Sequence, residues 1–566
     1  MNQSLRWIVL VALLVVCAGL GYAAYTLAGI SWNAVVGYSS PYAGASLPPA
    51  EPGSAVASRT VLVIVDGLRL DASRKMSSLN SLRGYGADMT LTAPQPSLSY
   101  PNWTTILSGA PPYISGVVTN WHKGPAPVET IFDTAARKHV KTVFVGPEDF
   151  EPLFGVKEKT SASFMRKWQK QYLTSTYVDE ALRLASAEKP SLIVLHLPDV
   201  DEAGHDFGGA SKQYAQTAAR VDADLRRLVE GLQDGHTVFV VVADHGHIDP
   251  GGHGGWEPDV VTVPGVFAGP GVPLRKGNAR LEDVAPTVAR FAGIAPPRFD
   301  VGEVIGTDGS DLPSRAAFAQ AYERIVLLPT GKYDPTIAFR SNGAQAPALM
   351  AAADSARMKW DRTQRLPVGL LGAFAAVLAI AAVGMGSWRA LVAALAGTVA
   401  YYAVYNVLFF LVHRNQWSLS AFNSEDLVKS WMNQRLLEAA IAMLVAAAVA
   451  AVVYPLLRKS AKGPWGAYRA GWLSLGPATA LVVLATLGLQ VAWFAWAWGT
   501  VPTWRLPDLM WGFKYDLDLI QSTAVGFAAL VTPLVTYLIG RYHPKARRAD
   551  EWNPEWLSET YVNTSR

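Results

Sequence analysis

Apolar and polar positions follow three different rhythms along this chain. Trp7 to Ile30 is an uncharged apolar run, long enough for a membrane-crossing helix of about 20 residues. Short β-rich runs come next, at Val61–Val65, Thr142–Val145, Leu192–Leu197 and Thr237–Val242, and each predicts a strand. Lys212–Leu232 instead repeats Ala219, Val221, Leu225, Leu228 and Val229 at helical spacing, which predicts an amphipathic helix. Strand, crossover helix, strand is the signature of an α/β domain whose mostly parallel sheet is covered on both faces. From about Leu366 long apolar runs take over, at about 366–386, 389–413, 436–456, 472–498 and 517–540. They predict five more membrane helices, forming an all-α transmembrane bundle.

This pattern divides the 566 residues into an N-terminal anchor (1–30), a flexible Pro-, Gly-, Ala- and Ser-rich linker (31–58), an extracytoplasmic domain (59–345), a connector (346–365), a five-helix membrane domain (366–540) and a cytoplasmic tail (541–566). The first apolar run exceeds the 7–15 residues of a cleaved signal core, so it is expected to remain as an anchor. Cys17 follows Val16, where a lipid-attachment site needs a small residue, and reads as an apolar helix position. As the single cysteine it also excludes an intrachain disulfide framework.

Arg458, Lys459, Lys462 and Arg469 precede the fifth predicted helix, while Arg541, Lys545, Arg547 and Arg548 follow the sixth. Basic residues mark cytoplasmic loops, so both termini are expected inside a plasma or inner membrane, with residues 31–365 outside. Lys359, Arg362 and Arg365 run against that assignment. The net charge of +4 is partly this topology signal, and no basic stripe with interleaved aromatics suggests a nucleic-acid partner. Tyr401, Tyr402 and Asn406 are expected to hydrogen-bond between helices, and Trp417, Trp431, Trp504 and Trp511 to sit at the outer membrane boundary.

Chemistry concentrates at the strand ends. Asp66 ends the first predicted strand, Asp199 and Asp201 follow the third, and Asp244 ends the fourth, where open α/β sheets bind ligands. Five of the ten histidines lie between residues 205 and 253. Only His236 among them falls outside the segments Asp201–His205, Asp244–His247 and His253–Gly255. Carboxylate and imidazole together suit zinc, and a pair of divalent ions suits phosphoryl transfer. Manganese or another divalent ion is the alternative. Glycines beside the candidate ligands allow tight turns and close approach.

In order and spacing, Val65-Asp66-Gly67-Leu68-Arg69, Asp201-x-x-Gly204-His205, Asp244-His245-Gly246 and His253-Gly254 resemble the alkaline phosphatase superfamily, in its type I phosphodiesterase and nucleotide pyrophosphatase branch. The resemblance covers about residues 60–300 and includes Leu281-Glu282-Asp283-Val284-Ala285-Pro286-Thr287. It implies one ion held by Asp201, His205 and His253, and another held by Asp66, Asp244 and His245 with the nucleophile. His247 and Asp249 are alternatives within the glycine-rich segment. Asp199 is a rival to Asp201, but only Asp201 keeps the family's spacing. The family's threonine before an aromatic-Pro-Asn triplet is replaced here by Ser99, with Ser97, Thr104 and Thr105 as alternatives. A helix starting near Pro101 would leave Ser99 at its positive end. Asn102 is implied to donate its amide to a phosphoryl oxygen. Trp121 and His122 are candidate rim residues.

Two outcomes share one first half-reaction, attack by Ser99 on a phosphate ester to give a phosphoseryl intermediate. Water as second acceptor makes a phosphodiesterase or pyrophosphatase, which the Ser99-Tyr100-Pro101-Asn102 segment favours. An alcohol makes a phosphoethanolamine-type transferase acting on a lipid or glycolipid, which the multi-pass layout resembles. A noncatalytic, metal-stabilised binding module of a receptor or transporter is the contrasting class. The expected partners are a phosphate-ester substrate, lipid-linked in the transferase case, and the bilayer itself; the sequence leaves the oligomeric state open.

Overall fold

A computed structural model describes residues 3–48, 50–165, 174–305, 313–333, 346–424, 427–457 and 465–542. Its soluble part is built on an eight-stranded sheet: β1 (Arg59–Val65), β2 (Ala87–Thr92), β3 (Thr142–Pro147), β4 (Ser161–Met165), β5 (Leu192–Leu197), β6 (Thr237–Val242), β7 (Thr262–Ala268) and β8 (Arg275–Arg280), in the order β4-β3-β5-β1-β6-β7-β2-β8. β7 runs antiparallel to both neighbours and every other pairing is parallel. The four expected strands are therefore present, and the helix Lys212–Leu232 has the predicted bounds.

β5, β1 and β6 lie side by side, with register Ile64↔His196 and Ile64↔Val242. β5 and β6 are buried along their whole length, as is β1 beyond its first residue. Their Val- and Ile-rich sequences suit strands covered on both faces. This arrangement brings the carboxyl ends of three adjacent strands to one edge of the sheet.

The membrane part contains the helices Trp7–Val36, Ala346–Gly386, Trp388–Val412, Val428–Leu456 and Gly471–Ala497, each long and apolar enough to cross a bilayer. A sixth crossing is made if the pair Leu509–Ala528 and Thr532–Tyr542, bent by 57°, counts as one span. The break falls just before Pro533, whose ring and missing N–H interrupt a continuous helix. The chain is a multi-pass membrane protein with a large soluble domain.

Three expectations need correction. The N-terminal helix continues to Val36, and the segment beyond it is not a flexible linker. Tyr42 is fully buried and stacks on Tyr322 at 4.8 Å, while Ser40 Oγ donates to the carbonyl of Ile114. Burial of these aromatics outweighs the turn-rich composition. Residues 346–365 are no separate connector but the first part of the continuous helix Ala346–Gly386. Arg357 and Arg365 both pair with Asp361 at 2.9 Å on that helix, which still leaves an excess of basic residues there that runs against the expected orientation. The basic residues Arg458, Lys459, Lys462, Lys545, Arg547 and Arg548, with nearly all of the expected tail, lie outside the described residues. Tyr401 and Tyr402 do bond between helices, to Gln521 at 3.1 Å and Thr486 at 2.9 Å.

Candidate metal centre

The site is built at the ends of β1, β5 and β6. Asp66 follows β1, and its backbone N–H donates to Leu197 at the end of β5. Gly67 has φ +68°, and a Cβ there would come within 2.6 Å of the Asp201 Cα. Glycine is needed at this position both for the left-handed backbone and for the approach of the two segments. Past β6, Asp244 Oδ1 accepts from the backbone N–H groups of Gly67 at 3.1 Å and His245 at 2.9 Å. Its buried Oδ2 has no hydrogen-bond donor among the described residues and lies 3.4 Å from His245 Nε2.

The helix Asp199–Phe207 carries Asp201 and His205 four residues apart and hence on one face, with His205 Nε2 3.4 Å from Asp201 Oδ2. Two groups converge. Asp201, His205 and His253 each offer a ligand atom within 4.8 Å of the others, and so do Asp66, Asp244 and His245. Asp201, His245 and His247 satisfy the same distance, so the two expected groups are contiguous.

Hydrogen bonds at the far side of each ring settle where the lone pairs point. His245 Nδ1 faces the Gly246 carbonyl at 3.2 Å and His253 Nδ1 faces the Ser97 carbonyl at 3.1 Å. Carbonyls only accept, so the proton sits on Nδ1 and Nε2 is bare. His205 Nδ1 lies 3.2 Å from Asn423 Oδ1. The amide of Asn423 donates from Nδ2 to the His205 carbonyl at 2.8 Å, so Oδ1 is again an acceptor. The Nε2 atoms of His205 and His253 then meet at 3.2 Å, with Asp201 beside them. Such convergence of carboxylate oxygen and bare imidazole nitrogen fits a divalent cation.

Electrostatics agrees. Burial works to raise the Asp201 carboxyl, but the neighbouring His205 and His247 rings hold it well below the usual range. Burial lowers His205, yet Asp201 overcomes this and lifts it to about 9. Burial keeps His253 well below its ordinary value and therefore neutral. The pocket favours one positive charge among neutral nitrogen donors. These residues are compatible with one or more divalent-metal sites.

The alternatives are placed as well. His247 Nδ1 accepts from the Gly252 N–H at 3.2 Å, so its Nε2–H donates to Asp201 Oδ1 at 2.8 Å. In this tautomer it orients Asp201 and presents no lone pair. Asp249 pairs with the buried Arg69 at 2.8 Å, and Asp199 accepts from the Thr174 N–H at 2.9 Å. Ser99 begins the helix Ser99–Ser108, and its Oγ lies 3.3 Å from His245 Nε2. Ser97 Oγ is spent on the Gly255 carbonyl at 2.7 Å, and Thr104 and Thr105 bond back into their own helix. Asn102 Nδ2 donates to the Asp244 carbonyl at 2.8 Å, which leaves its second amide proton for another acceptor. Trp121 packs edge-on against Trp32 at 5.5 Å, and burial lowers the half-buried His122.

Three neighbours escape a reading of the sequence. His196 Nε2 lies 3.0 Å from Asp66 Oδ2; a lone histidine inside the apolar run Leu192–Leu197 was its only trace. Tyr214 OH donates to the Gly67 carbonyl at 2.6 Å and accepts from the Arg69 N–H at 2.8 Å, fixing the turn after β1. Asn423 is carried by the membrane part and has no sequence motif.

Residues 60–251 match the family model of type I phosphodiesterase / nucleotide pyrophosphatase. His253 falls two positions beyond the match. Over the matched stretch the soluble domain is similar to type I phosphodiesterase / nucleotide pyrophosphatase, and its converging carboxylates and imidazoles are compatible with a bound divalent ion. Among curated relatives, GPI ethanolamine phosphate transferase 1 of Emericella nidulans is 28% identical over 268 residues, covering 39% of this chain and 28% of its own length. The Homo sapiens protein of the same name is 24% identical over 285 residues, covering 44% and 30%. The chain thus spans about a third of the length of these relatives. A solved structure of murine ectonucleotide pyrophosphatase / phosphodiesterase 5, an inactive variant in complex with AMP, overlays 42% of this chain and 96% of its own, with 12% identity and a TM-score of 0.37.

Proposed function

We propose that this protein transfers a phosphoethanolamine-type headgroup from a phospholipid to a hydroxyl of a second lipid or glycolipid at the outer membrane surface. The observation that carries this reading is the seating of the site on the bundle: Trp256 Nε1 donates to the Trp417 carbonyl at 2.9 Å, and the Gly255 N–H to Ser420 Oγ at 3.0 Å. A cluster held against a membrane bundle suits lipid-borne substrates. The names of the curated relatives point the same way.

In the first half-reaction Ser99 Oγ attacks phosphorus, the bond from phosphorus to the diacylglycerol oxygen breaks, and the departing oxygen takes up the serine proton. The headgroup is then a phosphodiester on Ser99. In the second half the acceptor hydroxyl attacks from the vacated side, the Ser99–phosphorus bond breaks, and the acceptor's proton returns to Ser99. Asp66, Asp244 and His245 would hold one divalent ion, and Asp201, His205 and His253 the other. Such ions favour the alkoxide form of a bound hydroxyl and neutralise charge on phosphoryl oxygens. The first turn of Ser99–Ser108 adds its positive dipole end, and the spare amide proton of Asn102 is available to a non-bridging oxygen.

The test is mass-resolved product analysis of the purified, metal-replete protein with ethanolamine phospholipid, nucleotide diesters, candidate alcohol acceptors and labelled water, with Ser99→Ala as control. Serine-dependent appearance of the headgroup on an added alcohol is expected. Serine-dependent monoester carrying label from water would instead establish a phosphodiesterase, the outcome that the Ser99–Asn102 segment favours. Absence of turnover with all substrates would favour a binding module.

A further inference from the structure

The segment between the membrane helices Trp388–Val412 and Val428–Leu456 does more than connect them. Its described residues lie against the glycine-rich run that carries His253. Ser420 Oγ accepts from the Gly255 N–H and donates to the buried carboxylate of Glu257 at 2.8 Å. A Cβ on Gly252, whose φ is +113°, would come within 2.3 Å of the Ser420 carbonyl. A Cβ on Gly251 would come within 2.9 Å of Asn423 Oδ1. The two segments are in contact at backbone level, with no room for a side chain between them.

Asn423 grips a single residue with both ends of its amide, His205 Nδ1 at 3.2 Å and the His205 carbonyl at 2.8 Å, across 218 positions of sequence. The second bond orients the amide, so the first can only be accepted from Nδ1–H. His245 and His253 obtain the same service from backbone carbonyls of the soluble domain itself. His205 obtains it from the membrane bundle.

We propose that Asn423 is a positioning residue for the metal centre: it fixes the tautomer and ring plane of His205, so that the membrane bundle supplies part of the site's second layer. The proposal rests on His205 being a ligand, as in the function above. An outer partner of a metal-bound histidine typically contributes about 10–100-fold in affinity. The bundle is then a component of the catalytic centre as well as its anchor.

Chelator competition with Zn²⁺ on the full-length protein tests this, comparing wild type with Asn423→Leu, which keeps the volume but has no acceptor, and Asn423→Asp, which keeps the acceptor. Asn423→Leu is expected to weaken one class of bound ion by about 10–100-fold, with Asn423→Asp within about threefold of wild type. Wild-type affinity in Asn423→Leu overturns the proposal. So does equal weakening in both variants, which would assign the residue to loop packing alone. Should Asn423→Leu not fold, Asn423→Ser, whose hydroxyl is too short to reach the ring, is read by the same criterion. A wild-type protein that binds no ion would overturn the metal reading itself, a result distinct from either of these.

Discussion

Glu282 is a carboxyl with little of the compensation found in the candidate metal cluster. It is buried, and its Oε2 has no donor among the described residues. Burial lifts it to about 7, against the lowering effect of Arg280. Between its ordinary value of 4.5 and about 7, the folded state keeps a proton that the unfolded chain releases, so stability falls as pH rises through that window. Glu282→Gln is therefore expected to raise the thermal midpoint at pH 8, by the equivalent of about 1–3 kcal/mol, and to leave it unchanged at pH 4.5. Melts at the two pH values decide the matter, and an equal gain at both would sink the explanation. Legibility at this scale is uneven. Asp201 and His205 stand out because four residues of helix place them on one face, and Asp66 and Asp244 because polar residues interrupt apolar strands. The groups that orient His245 and His253 are backbone carbonyls, which have no sequence identity, and the group that orients His205 lies in another part of the chain.

Among elements, the helix Asp199–Phe207 explains why its motif contains glycine. A Cβ on Gly204 would fall 2.4 Å from the ring of His247, so helix and glycine-rich segment pack without a side chain between them. Gly204→Ala forces that ring to move, and overpacking of this kind costs about 1–3 kcal/mol. The expected result is a lowered thermal midpoint that His247→Ala cancels: the double variant should melt no lower than His247→Ala alone. Additive losses would show that the strain lies elsewhere. The sheet shows which elements a pattern can reveal. β1, β3, β5 and β6 are apolar runs covered on both faces, and each was legible. β8 reads Arg-Lys-Gly-Asn-Ala-Arg and exists as an edge strand through pairing with β2. β7 lies inside the sheet yet contains Pro264, which argues against an inner strand. The proline is accommodated because the ladder with β6 ends at Gly265. The linker at 31–58 misled for the converse reason: turn-rich composition conceals Tyr38, Tyr42 and Leu47, whose burial is a tertiary effect.

At the scale of the whole molecule, contacts with the soluble domain constrain the membrane topology independently of charge. Residues 417–423 touch the candidate metal site, and in the segment after Ala497 the Trp504 carbonyl accepts from Tyr42 OH at 2.7 Å. Both segments therefore share a side with the soluble domain. The turn between Gly386 and Trp388 must lie on the opposite side, and Leu509–Ala528 with Thr532–Tyr542 has to return the chain there if the basic tail is cytoplasmic. Cys17, the single cysteine, is fully buried, with its thiol against the Pro477 carbonyl, so it gives little background to a thiol probe. Leu274 and Met385 are 72% and 82% exposed, the first in the soluble domain and the second beside the 386–388 turn. In intact cells a membrane-impermeant maleimide is expected to label Leu274→Cys and to reach Met385→Cys only after permeabilisation. The reverse pattern would turn the molecule over and place the soluble domain in the cytoplasm. Labelling of both positions in intact cells would break the helix Ala346–Gly386 as a span, and with it the seating of the metal centre on a transmembrane bundle.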